Sequence, residues 1–201
     1  NEIEIMSNRN IGAAHNPVSN MKLASGAAPV VKMLAKGIHV GLGTDGEKEN
    51  NNLDMFEEMK VSSLLAKLSS LDAAALDAWS VCKMATIGGA EALGMSNLTG
   101  SIEIGKQADM IAIRTDTARM TPFISGKDGN LHHNLVHAVQ GGDVDMTIVA
   151  GEVVVENGKL LTADTQQLIN DANKAVPDLF RRRADWLAAH QPKNELNTNI
   201  D

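Results

Sequence analysis

Cysteine is nearly absent: Cys82 is the single one in 201 residues. One thiol forms no internal disulfide and no multi-thiolate metal site, which points to a reducing, cytoplasmic compartment. An excess of positive charge is also missing. Lysine and arginine total 18 against 25 aspartates and glutamates, a net charge of −7, which argues against a nucleic-acid surface. No apolar run approaches the roughly 20 residues that a membrane-spanning helix needs. There is no P-loop, no HExxH and no HxH. The chain opens at Asn1 without Met and without a basic-then-apolar leader, so its start reads as a cut end. What is present is ordinary globular material. An apolar fraction of 43% against 21% charged is enough to build a core and excludes disorder across the whole chain.

The first ordered stretch, Asn10 to His15, is small and apolar and ends at the turn-prone Asn16-Pro17, which predicts a buried strand with polar groups at its C-terminal end. Val18 to Gly26 reads as a loop. Pro29 suits the first turn of a helix carrying Val30, Val31 and Leu34, and Gly37 stops it. Ile38 to Gly43 reads as a second strand, ending at Thr44-Asp45-Gly46. Strand, helix and strand in this order and length make a right-handed βαβ unit with parallel strands. Glu47 to Asn52 reads as a polar loop, with Asn52 as N-cap of a helix whose apolar side holds Leu53, Phe56, Val61, Leu64, Leu65 and Leu68. Further helices are expected over 73–85 and 88–93, the second ended by Gly94. From Gly100 to Leu161 the pattern changes to short β-rich pieces, including Ile102-Glu103-Ile104, around a polar loop from Thr115 to Asn134. Asn157-Gly158 is a strong hairpin signal. A helix spans about 164–190, capped by Asp164, with Pro177 expected to kink or split it. The tail Gln191–Asp201 reads as polar and frayed.

Asp45 is the leading candidate for chemistry. It ends a buried strand of a βαβ unit, where the side chains of parallel strands converge on active sites. A carboxylate there can bind a metal or act as a base; it can also merely cap the Gly46 turn. His15 ends the neighbouring strand on the same side, where a neutral imidazole can ligate metal, hydrogen-bond substrate or be satisfied by the adjoining loop. Ser19 and Asn20 lie within reach of a ligand, or stabilise local turns. Glu49 can enter a pocket beside Asp45, or belong to a solvated loop. His132, His133 and His137 lack the companions of a tetrahedral metal set and read as non-catalytic. Cys82 reads as a packed small hydrophobe, and Arg181-Arg182-Arg183 as a solvated helix face.

Ala14-His15-Asn16-Pro17-Val18-Ser19-Asn20-Met21-Lys22-Leu23-Ala24-Ser25-Gly26, taken with Gly41-Leu42-Gly43-Thr44-Asp45-Gly46 and Asn51-Asn52-Leu53-Asp54-Met55-Phe56-Glu57-Glu58-Met59, resembles the metal-dependent amidohydrolase superfamily. The branch it resembles contains methylthioadenosine/S-adenosylhomocysteine deaminases and triazine hydrolases. Gly100 to Asp109 and Val149 to Val154 are similar to that family's β-sandwich segments. The resemblance implies an α/β chain: the last two strand–helix units of a TIM-like (β/α)8 barrel in residues 1–95, part of a β-sandwich in 96–162, and a C-terminal helical segment with its tail in 163–201. It also implies hydrolytic deamination, or dechlorination, of an amino-substituted nitrogen heterocycle by water activated on one divalent metal, zinc first and iron second. Asp45 then corresponds to the strand-eight aspartate that ligates the metal and accepts the water's proton. His15, Ser19, Asn20 and Glu49 line the substrate pocket. The other metal ligands lie outside this chain, which alone is expected to be inactive and to leave sheet edges uncovered. Glu47-Lys48-Glu49 stands where many deaminases of this branch carry small residues and a serine, which counts against an adenosine-type substrate and leaves triazines, pterins and other amino-heterocycles open. The full-length enzyme is expected to be a homo-oligomer. A reading of another class follows from the missing HxH: a non-catalytic binding or assembly module derived from such an enzyme.

Overall fold

The computed structural model describes residues 2–190. The tail Gln191–Asp201, read above as frayed, lies outside the described residues. The chain divides into two compact units, residues 1–159 and 160–201.

The first unit begins with α1 (Glu2–Asn8), β1 (Ala13–His15), α2 (Pro17–Lys22), α3 (Val30–Ala35) and β2 (Val40–Leu42). β1 and β2 pair in parallel, Ala13 with Val40 and His15 with Leu42, the arrangement expected of the βαβ unit. The segment from Val18, read as loop, instead contributes to α2. Asn16-Pro17 signals a turn, but proline also suits the first helical position, and Pro17 occupies it here. α4 (Glu47–Asn50) likewise replaces part of the predicted polar loop and ends on Asn51 in the left-handed region, at φ +80°.

α5 (Met55–Ser70) is capped by Asp54 rather than Asn52: its Oδ1 accepts from the N–H groups of Phe56 at 2.9 Å and Glu57 at 3.4 Å. The side that α5 buries also differs from the expected one. Phe56, Glu58, Met59, Ser62, Ser63 and Ala66 are buried, whereas Leu64 and Leu68 are 48% and 72% exposed. Small and polar side chains let α5 sit close to its neighbours, so the close-packed side is not the one richest in leucine. α6 (Ala78–Met84) and α7 (Ile87–Ala92) follow. α6 starts later than the expected residue 73, because Asp77 accepts from Ser80 N–H at 3.1 Å and forms its cap. α7 lies directly on β2: a Cβ on Gly41 would come within 2.8 Å of Gly89 Cα, so only glycine permits this approach.

Ile102-Glu103-Ile104 forms no strand. Both isoleucines are exposed, and the Ser101 hydroxyl and Lys106 ammonium close a local turn on Glu103. β3 (Met110–Ile113) pairs antiparallel with β4 (Val144–Val149), and β4 with β5 (Glu152–Glu156). β6 (Lys159–Leu160) stands last in the sheet order β3-β4-β5-β6. The two tight turns, Ala150-Gly151 and Asn157-Gly158, have positive φ at both residues, as type I′ hairpins require. The stretch read as a polar loop is more structured than expected. A 3-10 turn at Ala118–Met120 buries Met120 to 1% exposure, and α8 (Leu131–His137) buries Val136 completely. Together with Val40, Phe56, Met59, Val81 and Met84 they form the core.

Asp54 also reaches the β-rich part, where its Oδ2 accepts from Gly141 N–H at 2.9 Å. In the second unit, α9 (Thr165–His190) runs as one helix through Pro177 rather than splitting, and Asp164 caps it through Gln167 N–H at 3.0 Å. Arg181 pairs with Asp178 and Asp185 on its exposed surface. No helix among the described residues is long and apolar enough to cross a membrane.

Candidate active site

The parallel pairing of β1 and β2 brings their C-terminal ends side by side, and Gly43 N–H donates to His15 O at 3.0 Å just beyond the strands. His15 is buried, 4% exposed, and its Nδ1 has no hydrogen-bond partner. Burial pushes its pKa down to about 4, so the ring is neutral at physiological pH.

Three residues beyond β2, Asp45 adopts the left-handed conformation, at φ +61°. Aspartate tolerates that region better than most residues. Its carboxylate is exposed to solvent and receives two hydrogen bonds. Ser19 Oγ donates to Oδ2 at 2.6 Å, and Gly46 N–H donates to Oδ1 at 2.8 Å. The serine hydroxyl first, and the glycine N–H second, hold this carboxyl below the usual aspartate range, so it stays ionised. Ser19 sits in the first turn of α2 and is 2% exposed, which leaves its hydroxyl little freedom to turn away.

Asn20, on the same helix, is half-buried, and its backbone carbonyl accepts from Ser25 N–H at 2.9 Å. Glu49 folds back over Gly46, where a Cβ would come within 2.7 Å of its Oε2. Lys48 Nζ stands 4.0 Å from its Oε1. The structure thus joins Ser19 directly to Asp45, sets Glu49 over the adjoining glycine and puts His15 at the end of the neighbouring strand. Among the described residues no group of three or more His, Cys, Asp and Glu side chains is placed to hold a metal ion. The histidines of α8 make ring contacts instead, His132 with Trp79 and with His133. Cys82 is half-buried, and burial followed by the charge of Asp77 raises its thiol pKa, which favours the protonated thiol.

One residue escaped the sequence reading. Glu58 is completely buried, and it accepts from Val18 N–H at 3.2 Å and from the side-chain amide of Asn50. Burial raises its pKa against the effect of these two donors. Ser62 and Ser63, one turn further along α5, were the available signal: small polar residues within a leucine-rich helix mark a closely packed side.

Residues 1–154 match the sequence pattern of the Amidohydrolase family. The chain belongs to the amidohydrolase family. A curated member, the 5'-deoxyadenosine deaminase of Methanobrevibacter smithii, is 45% identical over 179 residues, covering 89% of this chain and 40% of that protein. An adenosine deaminase from Xanthomonas campestris, solved with bound zinc, superposes with a TM-score of 0.81 at 35% identity, covering 86% of this chain and 38% of that one. An atrazine chlorohydrolase from Arthrobacter aurescens, solved with zinc, superposes with a TM-score of 0.75 at 26% identity, covering 86% and 37%. The chain spans about 40% of the length of the curated relatives it matches.

Proposed function

We propose that this chain forms the C-terminal part of a metal-dependent aminohydrolase, its residues 1–95 completing a (β/α)8 barrel, 96–162 part of a β-sandwich and 163–201 a helical end. The observation that carries this reading is the ionised, exposed Asp45 carboxylate, held by Ser19 and Gly46 at the mouth of two parallel strands. Each Asp45 oxygen accepts one hydrogen bond and keeps a further lone pair, so the carboxylate suits a divalent cation as one acidic ligand. Zinc is the first candidate and iron the second. Such an ion, when bound, lowers the pKa of water so that hydroxide is available near neutral pH.

This chain's residues then do the following. Asp45 accepts the proton that the attacking water gives up, and the Ser19 hydroxyl fixes its orientation during the transfer. His15, neutral and buried, forms the adjoining wall and offers a ring nitrogen to a substrate group without adding charge. Asn20 and Glu49 border the space above Gly46. The substrate class is an amino-substituted nitrogen heterocycle; adenosine-type nucleosides come first, against the reading of Glu47-Lys48-Glu49 above, because the 45% identical relative is named a 5'-deoxyadenosine deaminase. Loss of chloride from a triazine is the variant of the same chemistry. The reducing cytoplasm fits the single half-buried thiol, and the whole enzyme is expected to self-associate.

The test is ammonia release by the protein expressed from its complete reading frame, offered adenosine, 5'-deoxyadenosine, amino-triazines and pterins, with metal content measured alongside. Activity on one of these that disappears in Asp45→Asn supports the reading. Full activity in that variant overturns it. A protein that binds no metal and releases no ammonia belongs to the other class, a binding or assembly module built on the same fold.

A further inference from the structure

Glu58 lies on α5, away from Asp45 in sequence, yet both of its hydrogen-bond donors sit beside the site. Val18 directly precedes Ser19 in the first turn of α2. Asn50 is the last residue of α4, the short helix that begins two residues after Asp45. The Asn50 amide has one orientation available, because its Oδ1 already accepts from the N–H groups of Leu53 at 2.7 Å and Asn52 at 3.3 Å. Its nitrogen therefore faces Glu58. A fully buried carboxyl that merely filled space would be better replaced by an apolar side chain, since burying it costs free energy that only its donors offset. Above it, Lys22 Nζ donates to Lys48 O at 2.6 Å and to the Asn51 side chain, so α2 and α4 are tied at the surface as well.

We infer that Glu58 is a positioning residue for the proposed reaction, tying α2 and α4 together from beneath so that Ser19 Oγ stays on Asp45 Oδ2. The inference rests on the functional reading above, and its test separates the two. Glu58→Gln keeps the shape but offers one acceptor and one donor where two acceptors are needed, so either Val18 N–H or the Asn50 amide loses its partner. The second substitution Asn50→Asp restores the count. The amide then at position 58 accepts from Val18 and donates to the carboxylate then at position 50, which still accepts from Leu53 and Asn52. The charge moves by one side chain and every hydrogen bond survives.

In the protein from its complete reading frame, Glu58→Gln is expected to lower kcat roughly 10- to 100-fold, the range for residues that orient a reacting group through a second one. KM should stay within about threefold, because uniform binding is not what is lost. Amide hydrogen exchange should accelerate at Val18 and over residues 46–52. The double variant Glu58→Gln/Asn50→Asp should recover kcat to within about threefold of the parent and slow that exchange again. A single variant with unchanged kcat and a lowered melting temperature, or a double variant no better than the single, overturns the inference. If the parent protein releases no ammonia, the functional reading fails by itself. The exchange measurement then still decides the positioning role: protection at Val18 that is indifferent to Glu58→Gln ends it.

Discussion

The stretch from His15 to Ser63 and the stretch from Gly100 to Lys159 belong to the same compact unit, but they treat polar groups in opposite ways. The first buries His15, Ser19, Asn50, Glu58, Ser62 and Ser63. The second, among its described residues, buries Met120, Val136 and Val139, and spends its polar side chains on turns, as where Asp109 accepts from Ala150 N–H at 2.7 Å and from the Thr99 hydroxyl at 2.8 Å. Buried polarity is costly unless satisfied, and it is retained where it orients something. The contrast teaches that buried polar groups gather beside Asp45 and along the close-packed side of α5, whereas the β-rich stretch keeps its polar groups at turns.

The sharpest way to break that contrast is Asp45→Asn. Asparagine accepts the left-handed conformation, so the fold should stand while the charge is gone. Ammonia release by the full-length protein should fall on the order of 10³-fold or more, with melting temperature little changed. Met120→Ala should do the reverse. Emptying this buried site costs about 2–5 kcal/mol in denaturant unfolding, with kcat per folded molecule unchanged. An activity loss that outruns the unfolded fraction would erase the division between the two stretches.

His15 supplies a pH test. Its folded-state pKa, about 4, lies below the ordinary 6.5, so the unfolded chain takes up a proton that the folded chain refuses. Its stability penalty is absent above pH 6.5 and grows as pH falls toward 4, reaching about 3 kcal/mol. His15→Asn should remove that slope, read as the difference between parent and variant in unfolding free energy across this window. Parallel pH curves would contradict the buried neutral ring. The smallest effect expected is for Ser19→Ala. It frees Asp45 Oδ2 and should lower kcat roughly 10- to 100-fold, at least as much as Glu58→Gln, while metal is retained, checked by single-turnover kinetics on the loaded enzyme.

The strand ends were legible in the sequence, because short apolar runs closed by His15 and by Thr44-Asp45-Gly46 leave few other ways to fold. The hairpin at Asn157-Gly158 was legible for the same local reason. What the sequence concealed depended on contacts between distant segments. α2 and α4 looked like loops because Pro17 and the Glu47–Asn50 run carry turn and solvent signals as strongly as helical ones. Glu58 drew no reading of its own, since an acid beside Glu57 in the first turns of a helix carries no local sign of burial. Only the closure of Val18 and Asn50 over it makes it interior. The leucines of α5 pointed to the wrong buried side, since closeness of approach, set by Ser62, Ser63 and Ala66, decided the packing. The Ser19–Asp45 hydrogen bond spans 26 positions and leaves no mark in local pattern.

Asp54 joins the two stretches. One oxygen of its carboxylate starts α5 and the other holds Gly141 N–H, and a Cβ on Gly141 would stand 3.2 Å from that same carboxylate. A larger residue at 141 must be met by a shift of a few tenths of an ångström in the Asp54 carboxylate, and the start of the helix that carries Glu58 is where that shift is felt. Any exchange of either stretch in this protein therefore carries the Asp54–Gly141 contact with it.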